Sequence, residues 1–454
     1  MLLGRTSELK HLNTYYDPEG SQIMVVYGQR NIGKTALLSS FVEDKPYHYY
    51  RARSASCREQ RYNWGMELGE EDVKLLKYPT YMEIFKAIIK GEKEKKIIII
   101  DEFQYIIKSS DTFMKELVSF VHSYWQQQNV MIVLVSSSIG WVENSMINKI
   151  GEAAYELSSF LKVKELSFEH MMEFFPGFSM EQCIESYAVL GGVPGLWEHF
   201  SDKISVKENI SRYILDMHSL LRFEGQRIVE EELRETNVYN TILSSIAAGN
   251  HKLNDLYLHT EFSRAKISVY LKNLMELELV EKVFSYDTDG KENTQKGIYR
   301  ISNHFVNFYF TYIYPNLTDM ETMVGSEFYK KHIAPTFKSY VAEYFKTVCK
   351  QHIEKWNKWK ELPIEIDRIG EWVGKIGNID VIAQNEEGKT IVSICNWDKP
   401  LMRYDDYEWL LFCCKEAKIH VDYVYLFSVK RFDEKLNLEA KVKPNLKLIS
   451  LEDM

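Results

Sequence analysis

The sequence predicts an α/β fold whose first part is built on a parallel sheet. Three apolar runs carry this prediction: "IMVVY" from Ile23, "IIII" from Ile97 and "VMIVLV" from Val130. Strands buried on both faces of a parallel sheet read as continuous apolar runs. Each run is followed by polar or glycine residues and then by a helical pattern, which is typical of strands joined by crossover helices.

Composition restricts the class of protein. The chain has 454 residues, enough for about three domains of ordinary size. Its 45% hydrophobic and 27% charged residues are typical of a globular protein. The net charge of −9 argues against a dedicated nucleic-acid coat protein, although it leaves room for a local basic patch.

Cysteine usage and the N-terminal segment indicate a cytoplasmic protein. The six cysteines form no CxxC pair, so we expect reduced thiols rather than a zinc site or disulfides. The segment "MLLGRTSELK" reaches Arg5 before an apolar signal region can form. The run "VMIVLV" is far shorter than the roughly 20 residues that span a bilayer. We therefore expect no membrane partner.

The first apolar run leads into a glycine loop, "GQRNIGKT". This loop fits G-x-x-x-x-G-K-[ST], with its glycines at Gly28 and Gly33. The glycines let the backbone N–H groups curl around phosphates, and the next helix adds its positive N-terminal end. Lys34 is expected to reach the β- and γ-phosphates of ATP, and the Thr35 hydroxyl to ligate Mg²⁺.

Polar residues also follow the second and third runs. Asp101 and Glu102 end the second run, at the end of a strand where α/β proteins bind ligands. We expect Asp101 to hold Mg²⁺ through water and Glu102 to orient the attacking water, the alternative being that both cap the next helix. Ser136, Ser137 and Ser138 end the third run. Ser137 is the candidate to reach the γ-phosphate or the water, with helix capping as an equal alternative.

Five sequence motifs follow one another along the chain: "LLGRTSELKHL", "VVYGQRNIGKTALL", "IIIIDEFQYI", "SSS" and "YAVLGGVPGLW". They resemble the motifs of the archaeal-type ATPase family, a branch of the STAND class of AAA+ ATPases. The resemblance covers the whole chain, since members often continue with a winged helix and a nuclease-like domain. It implies that Gly4 and Arg5 border the adenine and that Pro194, with Gly191 and Gly192, lies in a helical lid near the nucleotide. The residues "GGVP" alone indicate only a helix-breaking turn.

The sequence departs from the family pattern at an arginine. Members commonly carry "GR" shortly after the serines, whereas this chain has Gly151 followed by Glu152 and no arginine between Arg61 and Arg212. An arginine finger contributes a factor of about 10³–10⁵ to phosphoryl transfer. We therefore expect slow hydrolysis, unless Lys149, a later domain or a partner substitutes. A switch that holds ATP fits better than a motor.

The middle of the chain is helical. Residues 161–235 repeat apolar side chains at helical spacing and predict the lid. Residues 236–315 follow the order of a winged helix-turn-helix, with "SRAKISVYLKNLMEL" as the recognition helix and the wing over "SYDTDGKENTQKGIYRI". Arg264, Lys266 and Lys272 are candidate contacts to duplex DNA, although neighbouring glutamates dilute their charge. An internal or protein-facing role is the alternative.

The last third resembles an α/β restriction-endonuclease core. "FKSYVAEYFKTVCKQH" predicts a helix around Glu343, and "EWVGKIGNIDVIAQ" with "TIVSICNW" predicts a hairpin that contains Asp380. In the PD-(D/E)XK core, acids from the helix and both strands hold a divalent metal, and a lysine polarises the water. By this resemblance Glu343 and Asp380 are remnant metal positions.

The other expected nuclease residues are missing. Asn378 replaces the usual glutamate of the first strand, Ile394 takes the place of the second-strand acid, and Asn396 that of the lysine. Because Mg²⁺ needs several oxygen ligands, we expect a nuclease scaffold without the chemistry. Glu343 and Asp380 would then be ordinary solvated or salt-bridged residues, and the alternative is a retained surface that binds DNA or another protein.

These assignments predict four parts: a P-loop AAA+ core in 1–160, the lid in 161–235, the winged helix in 236–315 and a degenerate nuclease-like domain in 316–454. The expected cofactors are ATP and Mg²⁺. One hypothesis is a slow ATPase that acts as a conformational switch. The other is a DNA-binding regulator in which ATP only sets the conformation. An unidentified protein partner is a further candidate.

Overall fold

The chain forms two compact units. A computed structural model describes residues 2–16, 20–69, 78–91, 94–124, 130–230, 233–286, 297–374 and 376–454. The first unit comprises Met1–Leu166 with Val193–Leu196, and the second comprises Ser167–Gly192 with Trp197–Met454. The finer division into four parts stays a prediction.

The first unit contains a parallel sheet. In the part of the chain that the structure describes, this sheet has five strands in the order β2-β3-β4-β1-β5. They are β1 (Gln22–Tyr27), β2 (Tyr47–Arg51), β3 (Lys96–Asp101), β4 (Val130–Ser136) and β5 (Ser159–Lys162). Neighbouring strands all run parallel. β1, β3 and β4 are almost wholly buried, as their apolar runs predict, and the predicted α/β fold with a parallel-sheet P-loop core is confirmed.

Helices connect the strands of this sheet. The α-helices described in the first unit are α1 (Thr6–Tyr16), α2 (Lys34–Phe41), α3 (Cys57–Leu68), α4 (Tyr81–Ile88), α5 (Gln104–Ser109), α6 (Phe113–Tyr124), α7 (Ile139–Trp141) and α8 (Ile147–Ile150). The next two, α9 (Phe168–Phe174) and α10 (Met180–Leu190), belong to the second unit, and α11 (Pro194–Trp197) begins in the first. The buried ring of Trp64 in α3 stacks on Tyr50 of β2, with centroids 4.2 Å apart, and meets Phe85 of α4 edge-on. Such aromatic contacts fix the helices onto the strands.

The second unit begins with helices and continues with a strand pair. Its described helices after residue 200 are α12 (Val206–Tyr213), α13 (Glu224–Glu230), α14 (Thr236–Ala247), α15 (Leu253–Thr260), α16 (Arg264–Glu276), α17 (His304–Phe308), α18 (Leu317–Thr322), α19 (Gly325–Phe328), α20 (Phe337–Trp359), α21 (Tyr404–Glu416) and α22 (Glu434–Val442). After α14–α16 come the antiparallel strands β6 (Val280–Val283) and β7 (Ile298–Ile301). Most of the predicted wing, residues 287–296, lies outside the described residues.

A mixed sheet ends the chain. The remaining described strands are β8 (Arg368–Val373), β9 (Asn378–Gln384), β10 (Thr390–Asn396), β11 (Leu401–Met402), β12 (Tyr423–Ser428), β13 (Arg431–Phe432) and β14 (Leu446–Ser450). The sheet has the order β14-β12-β10-β9-β8, in which β8, β9 and β10 are antiparallel and β10, β12 and β14 are parallel. α20 packs against β9 and β10, so the predicted helix lies against the predicted hairpin.

None of the helices in the described ranges combines the length with the apolar character that a membrane span requires.

Candidate functional site

The glycine loop lies between β1 and α2, where the sheet brings together the ends of β1, β3 and β4. Gly33 has a φ of +95°, in the left-handed region that favours glycine, and it immediately precedes α2. Gly28 is constrained by space, since a Cβ there would lie 2.4 Å from the carbonyl oxygen of Val163. Glycine is therefore required at position 33 by the backbone conformation and at position 28 by the lack of space for a side chain.

Lys34 points into the loop. Its Nζ donates hydrogen bonds to the carbonyl oxygens of Gly28 at 2.8 Å and Gln29 at 2.9 Å, and the side chain is buried. These two partners are neutral acceptors, and the charge of Lys34 also acts on the nearby Asp101 and Glu102. Thr35, the next residue, is exposed in the first turn of α2. The loop thus offers a cation and a hydroxyl at one helix N-terminus, which suits a phosphate with a bound metal.

Asp101 ends β3 and is held by two donors. Tyr49 Oη donates to its Oδ2 at 2.6 Å, and the amide of Glu102 donates to its Oδ1 at 3.0 Å. Burial raises the pKa of Asp101 and the nearby Glu102 adds to the rise, while the Tyr49 hydrogen bond and the charges of Lys34 and Arg51 oppose it. Lys34 and Asp101 therefore lie close enough for their charges to interact, which is expected of two residues at a Mg²⁺–ATP site.

Glu102 is fixed in an unusual backbone conformation. Its φ is +55°, and its carboxylate accepts hydrogen bonds from Ser137 Oγ at 2.7 Å and Gln104 Nε2 at 2.6 Å. Burial raises the pKa of Glu102, but these hydrogen bonds outweigh burial and lower it overall. The residue is therefore an ionised acceptor at neutral pH, and Ser137 lies beside it.

The helix-capping alternatives for these residues fail on the geometry. The residue that caps α5 is Phe103, not Asp101 or Glu102, and no side-chain hydrogen bond caps that helix. The cap residue of α7 is Ser138, whose side chain makes no capping hydrogen bond. The Ser137 hydroxyl is directed instead to Glu102.

Arg5 joins the N-terminal segment to the glycine loop. Its Nη2 donates to the carbonyl oxygen of Ile32 at 2.8 Å, and its Nη1 donates to the carbonyl oxygen of Lys164 at 2.8 Å and to Glu8 at 2.9 Å. The side chain is only 3% exposed. Gly4, with a φ of +63°, precedes it. The adenine contact expected of Gly4 and Arg5 stays a prediction, and the observed role of Arg5 is to hold the loop.

Pro194 begins a short segment that packs on the same loop. The amide of Gly195 donates to the carbonyl oxygen of Asn31 at 2.9 Å, and a Cβ on Gly195 would lie 2.8 Å from the Asn31 Cβ. Asn31 itself has a φ of +61°. A small residue after Pro194 thus allows the chain to pass directly over the loop, consistent with the expectation that Pro194 lies near the nucleotide.

Sequence reasoning missed three residues at this edge: Tyr49 and Arg51 of β2, and Gln104 after Glu102. Arg51 pairs in register with Asp101. Only the position of β2 beside β3 would have identified these residues. A single sequence does not fix that position, because the strand order depends on tertiary contacts. Lys149, the proposed substitute for an arginine finger, forms an exposed ion pair with Asp111 at 2.9 Å.

The candidate DNA contacts lie on α16 and are exposed. Arg264 donates to Asn254 at 2.6 Å, and its guanidinium lies 4.0 Å from the ring centroid of Tyr257. The Lys272 ammonium lies 3.7 Å from Glu276, and the Lys266 ammonium lies over an aromatic ring. These contacts are weak surface contacts, so the cations remain accessible.

Glu343 and Asp380, whose role as remnant nuclease positions stays a prediction, are brought together by a third residue, Lys346, which pairs with both. Asn396 donates to the carbonyl oxygen of Lys399 and accepts from its amide, and so caps the turn after β10. Among the described residues, no group of three or more His, Cys, Asp or Glu side chains is arranged to hold a metal ion.

The glycine loop, its lysine and the acids at the end of β3 define the site of a P-loop ATPase. Residues 2–200 match the family described as an ATPase domain predominantly from Archaea, and residues 309–408 match a family of archaeal and bacterial proteins of unknown function. A relative, the uncharacterized protein MJECL04 of Methanocaldococcus jannaschii, is 30% identical over 389 residues, which are 86% of this chain and 85% of that protein. The chain belongs to the archaeal ATPase family.

Solved structures resemble the chain at low sequence identity. The Walker-type ATPase PABY2304 of Pyrococcus abyssi is 17% identical, covering 68% of this chain and 96% of its own, with a TM-score of 0.48. The ORC2 protein of Aeropyrum pernix, in ADPNP–ADP complexes, is 16% identical, covering 71% and 95%, with a TM-score of 0.45. A STAND protein of Pyrococcus horikoshii with a tetratricopeptide repeat sensor is 19% identical, covering 79% and 51%, with a TM-score of 0.30.

Proposed function

We propose that this protein binds ATP with Mg²⁺, hydrolyses it slowly and uses the bound nucleotide as a conformational switch. One observation carries the proposal: Lys34, Asp101, Glu102 and Ser137 meet at the carboxyl edge of one parallel sheet. In that position a buried ammonium, a magnesium-type carboxylate and an ionised carboxylate can act on the same phosphate chain.

The donor set fits the expected cofactor. The Thr35 hydroxyl and the Asp101 carboxylate are the oxygen ligands that Mg²⁺ prefers, and they follow two strands of one sheet. Bound Mg²⁺ would neutralise phosphate charge at this position. Lys34 can exchange the two loop carbonyls for phosphate oxygens without leaving the loop. Glu102, kept ionised by its hydrogen bonds, can accept a hydrogen bond from the attacking water.

Slow turnover is supported by the lack of an arginine after the serines. Ser137 and Gln104 both donate to Oε2 of Glu102, which fixes the carboxylate and leaves Oε1 to orient a water, so the missing charge is that of an arginine finger. No arginine occurs between Arg61 and Arg212, and Lys149 is paired with an aspartate. A site with these features retains its nucleotide long enough for the bound state to act as a signal.

The lysine provides the direct test of nucleotide binding. Lys34→Ala is expected to abolish the thermal stabilisation by Mg²⁺–ATP, which is about 2.7 kcal/mol for a ligand at 100 times its Kd. Lys86→Ala, at an exposed position on α4, is the matched control and should keep the stabilisation. An equal shift in both variants would show that the loop does not bind the nucleotide.

The glutamate provides the test of hydrolysis. Glu102→Gln is expected to retain ATP and to stop phosphate release, because the loop is unchanged and loss of the Glu102 charge removes one cause of the raised pKa of Asp101, which favours the ionised magnesium ligand. Turnover at the parental rate would move the water-orienting role to another residue. Rapid turnover by the purified parent, comparable to that of a finger-assisted ATPase, would contradict the proposed switch.

The exposed cations of α16 favour a second candidate, a DNA-binding regulator with a winged helix. Duplex binding by Arg264, Lys266 and Lys272 should weaken with salt, each phosphate contact adding about 0.9 to the slope of log K against log salt. Fluorescence anisotropy of the parent and the triple alanine variant measures this slope. Equal binding by both proteins would assign α16 to packing or protein contact.

We also propose that the nuclease-like C-terminal domain is catalytically inactive. β10 supplies neither an acid at position 394 nor a lysine at position 396, and the Asn396 side chain serves the following turn. Incubation of duplex DNA with the parent and Mg²⁺ or Mn²⁺, with and without ATP, should give no cleavage. Cleavage that Asp380→Ala abolishes would overturn this assignment.

A further inference from the structure

A buried lysine lies between the two remnant carboxylates of the C-terminal mixed sheet. Glu343 and Lys346 are one turn apart on α20, and Asp380 is the third residue of β9. The Lys346 Nζ lies 3.1 Å from both carboxylate oxygens of Glu343 and 3.3 Å from Asp380 Oδ1. The amide of Cys395 on β10 donates to the other oxygen, Asp380 Oδ2, at 2.9 Å. Both oxygens of Asp380 therefore have partners from the protein.

Burial makes this contact strong. The Asp380 side chain is 10% exposed and that of Lys346 is 26% exposed, whereas Glu343 reaches solvent. The ammonium of Lys346 lies within ion-pair distance of both carboxylates, so each charge at this contact has an opposite partner. Removing one partner of such a pair leaves an uncompensated charge in the interior.

Several polar groups around this contact are already engaged. The cavity measures about 290 Å³ and includes Ile394, which is apolar, beside Asp380. Asn396 is bonded to Ser428 Oγ and to the backbone of Lys399, and the Lys399 ammonium pairs with Asp406 at 2.6 Å. Ser339 and Asp398 also line the cavity and lie outside these contacts, so the engaged groups reduce the set of oxygen ligands without removing it.

We propose that the ammonium of Lys346 occupies the position of a divalent cation between Glu343 and Asp380, and that these carboxylates become a Mg²⁺ or Mn²⁺ site when it is removed. A tethered ammonium is desolvated once, when the chain folds, and is then always present, whereas Mg²⁺ gives up its water reluctantly and requires near-octahedral geometry. One lysine therefore stabilises the helix–sheet contact and excludes the metal.

The position of Lys346 predicts how metal binding responds when the missing residues of β10 are restored. Ile394→Glu with Asn396→Lys adds an acid, but it also adds a third lysine to a pocket that Lys346 and Lys399 already line. The double change alone is therefore expected to give no metal binding. The same change combined with Lys346→Met should bind Mn²⁺, because the new acid then adds to an open carboxylate pair.

The experiment measures Mn²⁺ binding to nucleotide-free full-length protein by the electron paramagnetic resonance signal of free Mn²⁺, so the outcome does not depend on the P-loop. Lys346→Met is compared with Lys358→Met, an exposed position on the same helix. We expect no specific site in the parent or in Lys358→Met. Lys346→Met should gain one stoichiometric Mn²⁺ site that the parent lacks, and the additional change Asp380→Asn should abolish this binding.

Two results would overturn the proposal. The first is a stoichiometric Mn²⁺ site in the parent that Asp380→Asn removes, since metal and ammonium would then share the pocket. The second is a folded Lys346→Met variant that binds no Mn²⁺. If that variant is too unstable for titration, its thermal unfolding decides: Mn²⁺ should raise its Tm, with no effect on the parent, and an unchanged Tm refutes the latent site.

Discussion

Replacing Arg5 by methionine removes a buried guanidinium that joins three parts of the ATPase unit. Its hydrogen bonds reach the carbonyl oxygen of Ile32 in the glycine loop, the carbonyl oxygen of Lys164 after β5, and the carboxylate of Glu8 in α1. Methionine keeps much of the apolar stem but donates no hydrogen bond. The variant therefore tests the guanidinium itself rather than the volume of the side chain.

The size of the effect follows from these contacts. A hydrogen bond to a charged group contributes about 1.5–3 kcal/mol, and a buried acceptor left without a donor costs about 1–3 kcal/mol. Glu8, only 14% exposed, also loses its ion-pair partner. Because the terms overlap, we expect a loss of about 3–5 kcal/mol in the free energy of unfolding. For a unit of this size that corresponds to about 6–20 °C in Tm.

The assay is thermal and urea unfolding of the nucleotide-free protein, followed by ATP titration. Lys10→Met, at an exposed position on α1, is the control for loss of one positive charge and should be nearly neutral. If Arg5 instead acts by contacting adenine, Arg5→Met would unfold like the parent without nucleotide and lose only ATP affinity. That result would refute the role of Arg5 in holding the loop.

Two further predictions concern Gln104 and His48. Gln104→Leu removes one donor to the Glu102 carboxylate, so ATP affinity should stay the same while kcat falls about tenfold, or about 1.4 kcal/mol. Because the lost donor had stabilised the ionised carboxylate, the acidic limb of the kcat–pH profile should also move to higher pH. An unchanged profile would contradict the positioning role of Gln104. Burial lowers the pKa of His48 to about 4, and its Nε2 accepts from Trp64 Nε1 at 3.1 Å. The unfolded chain takes up this proton below about pH 6.5 and the native protein does so only near pH 4, so stability should fall over that window as pH falls, by about 2 kcal/mol at pH 5. Urea unfolding at pH 5 and pH 8 should show a smaller difference for His48→Phe than for the parent, with His122→Phe, at an exposed position, as the control.

Features encoded in neighbouring residues could be predicted from the sequence. The apolar runs at Ile97–Ile100 and Val130–Val135 became buried parallel strands because a strand covered on both faces tolerates few polar side chains. The glycine loop was equally readable, since the spacing of Gly28, Gly33 and Lys34 is fixed by the local backbone. Asp101 and Glu102 followed from their position at the end of a recognised strand.

Features that depend on which strands are neighbours were not readable. Tyr49 bonds Asp101 only because β2 lies beside β3, and a strand order with non-consecutive neighbours is set by the packing of the whole unit. The adenine-facing expectation for Arg5 came from resemblance alone, whereas its partners Ile32 and Lys164 lie 27 and 159 residues away. A long-range contact of this kind leaves no periodic signal.

The C-terminal domain also contains a long-range contact that the sequence alone does not predict. The helical spacing of Glu343 and Lys346 is visible in the sequence, since residues three apart share a helix face. Asp380, however, meets them only through the packing of α20 on β9. The resemblance places the missing lysine at position 396 of the strand, whereas the lysine that pairs with both carboxylates is Lys346 of the helix α20.

The two lysines at these sites differ in the charge of the groups to which they donate hydrogen bonds. Two hydrogen bonds of Lys34 go to neutral carbonyl oxygens, which phosphate oxygens can replace at little electrostatic cost. Lys346 is paired with two carboxylates, one of them buried, so an approaching phosphate would have to displace a charged partner and leave Asp380 uncompensated. Nucleotide phosphates should therefore bind at the glycine loop and not at the nuclease-like pocket. The sequence motif around a lysine matters less here than the charge of the groups that already hold it.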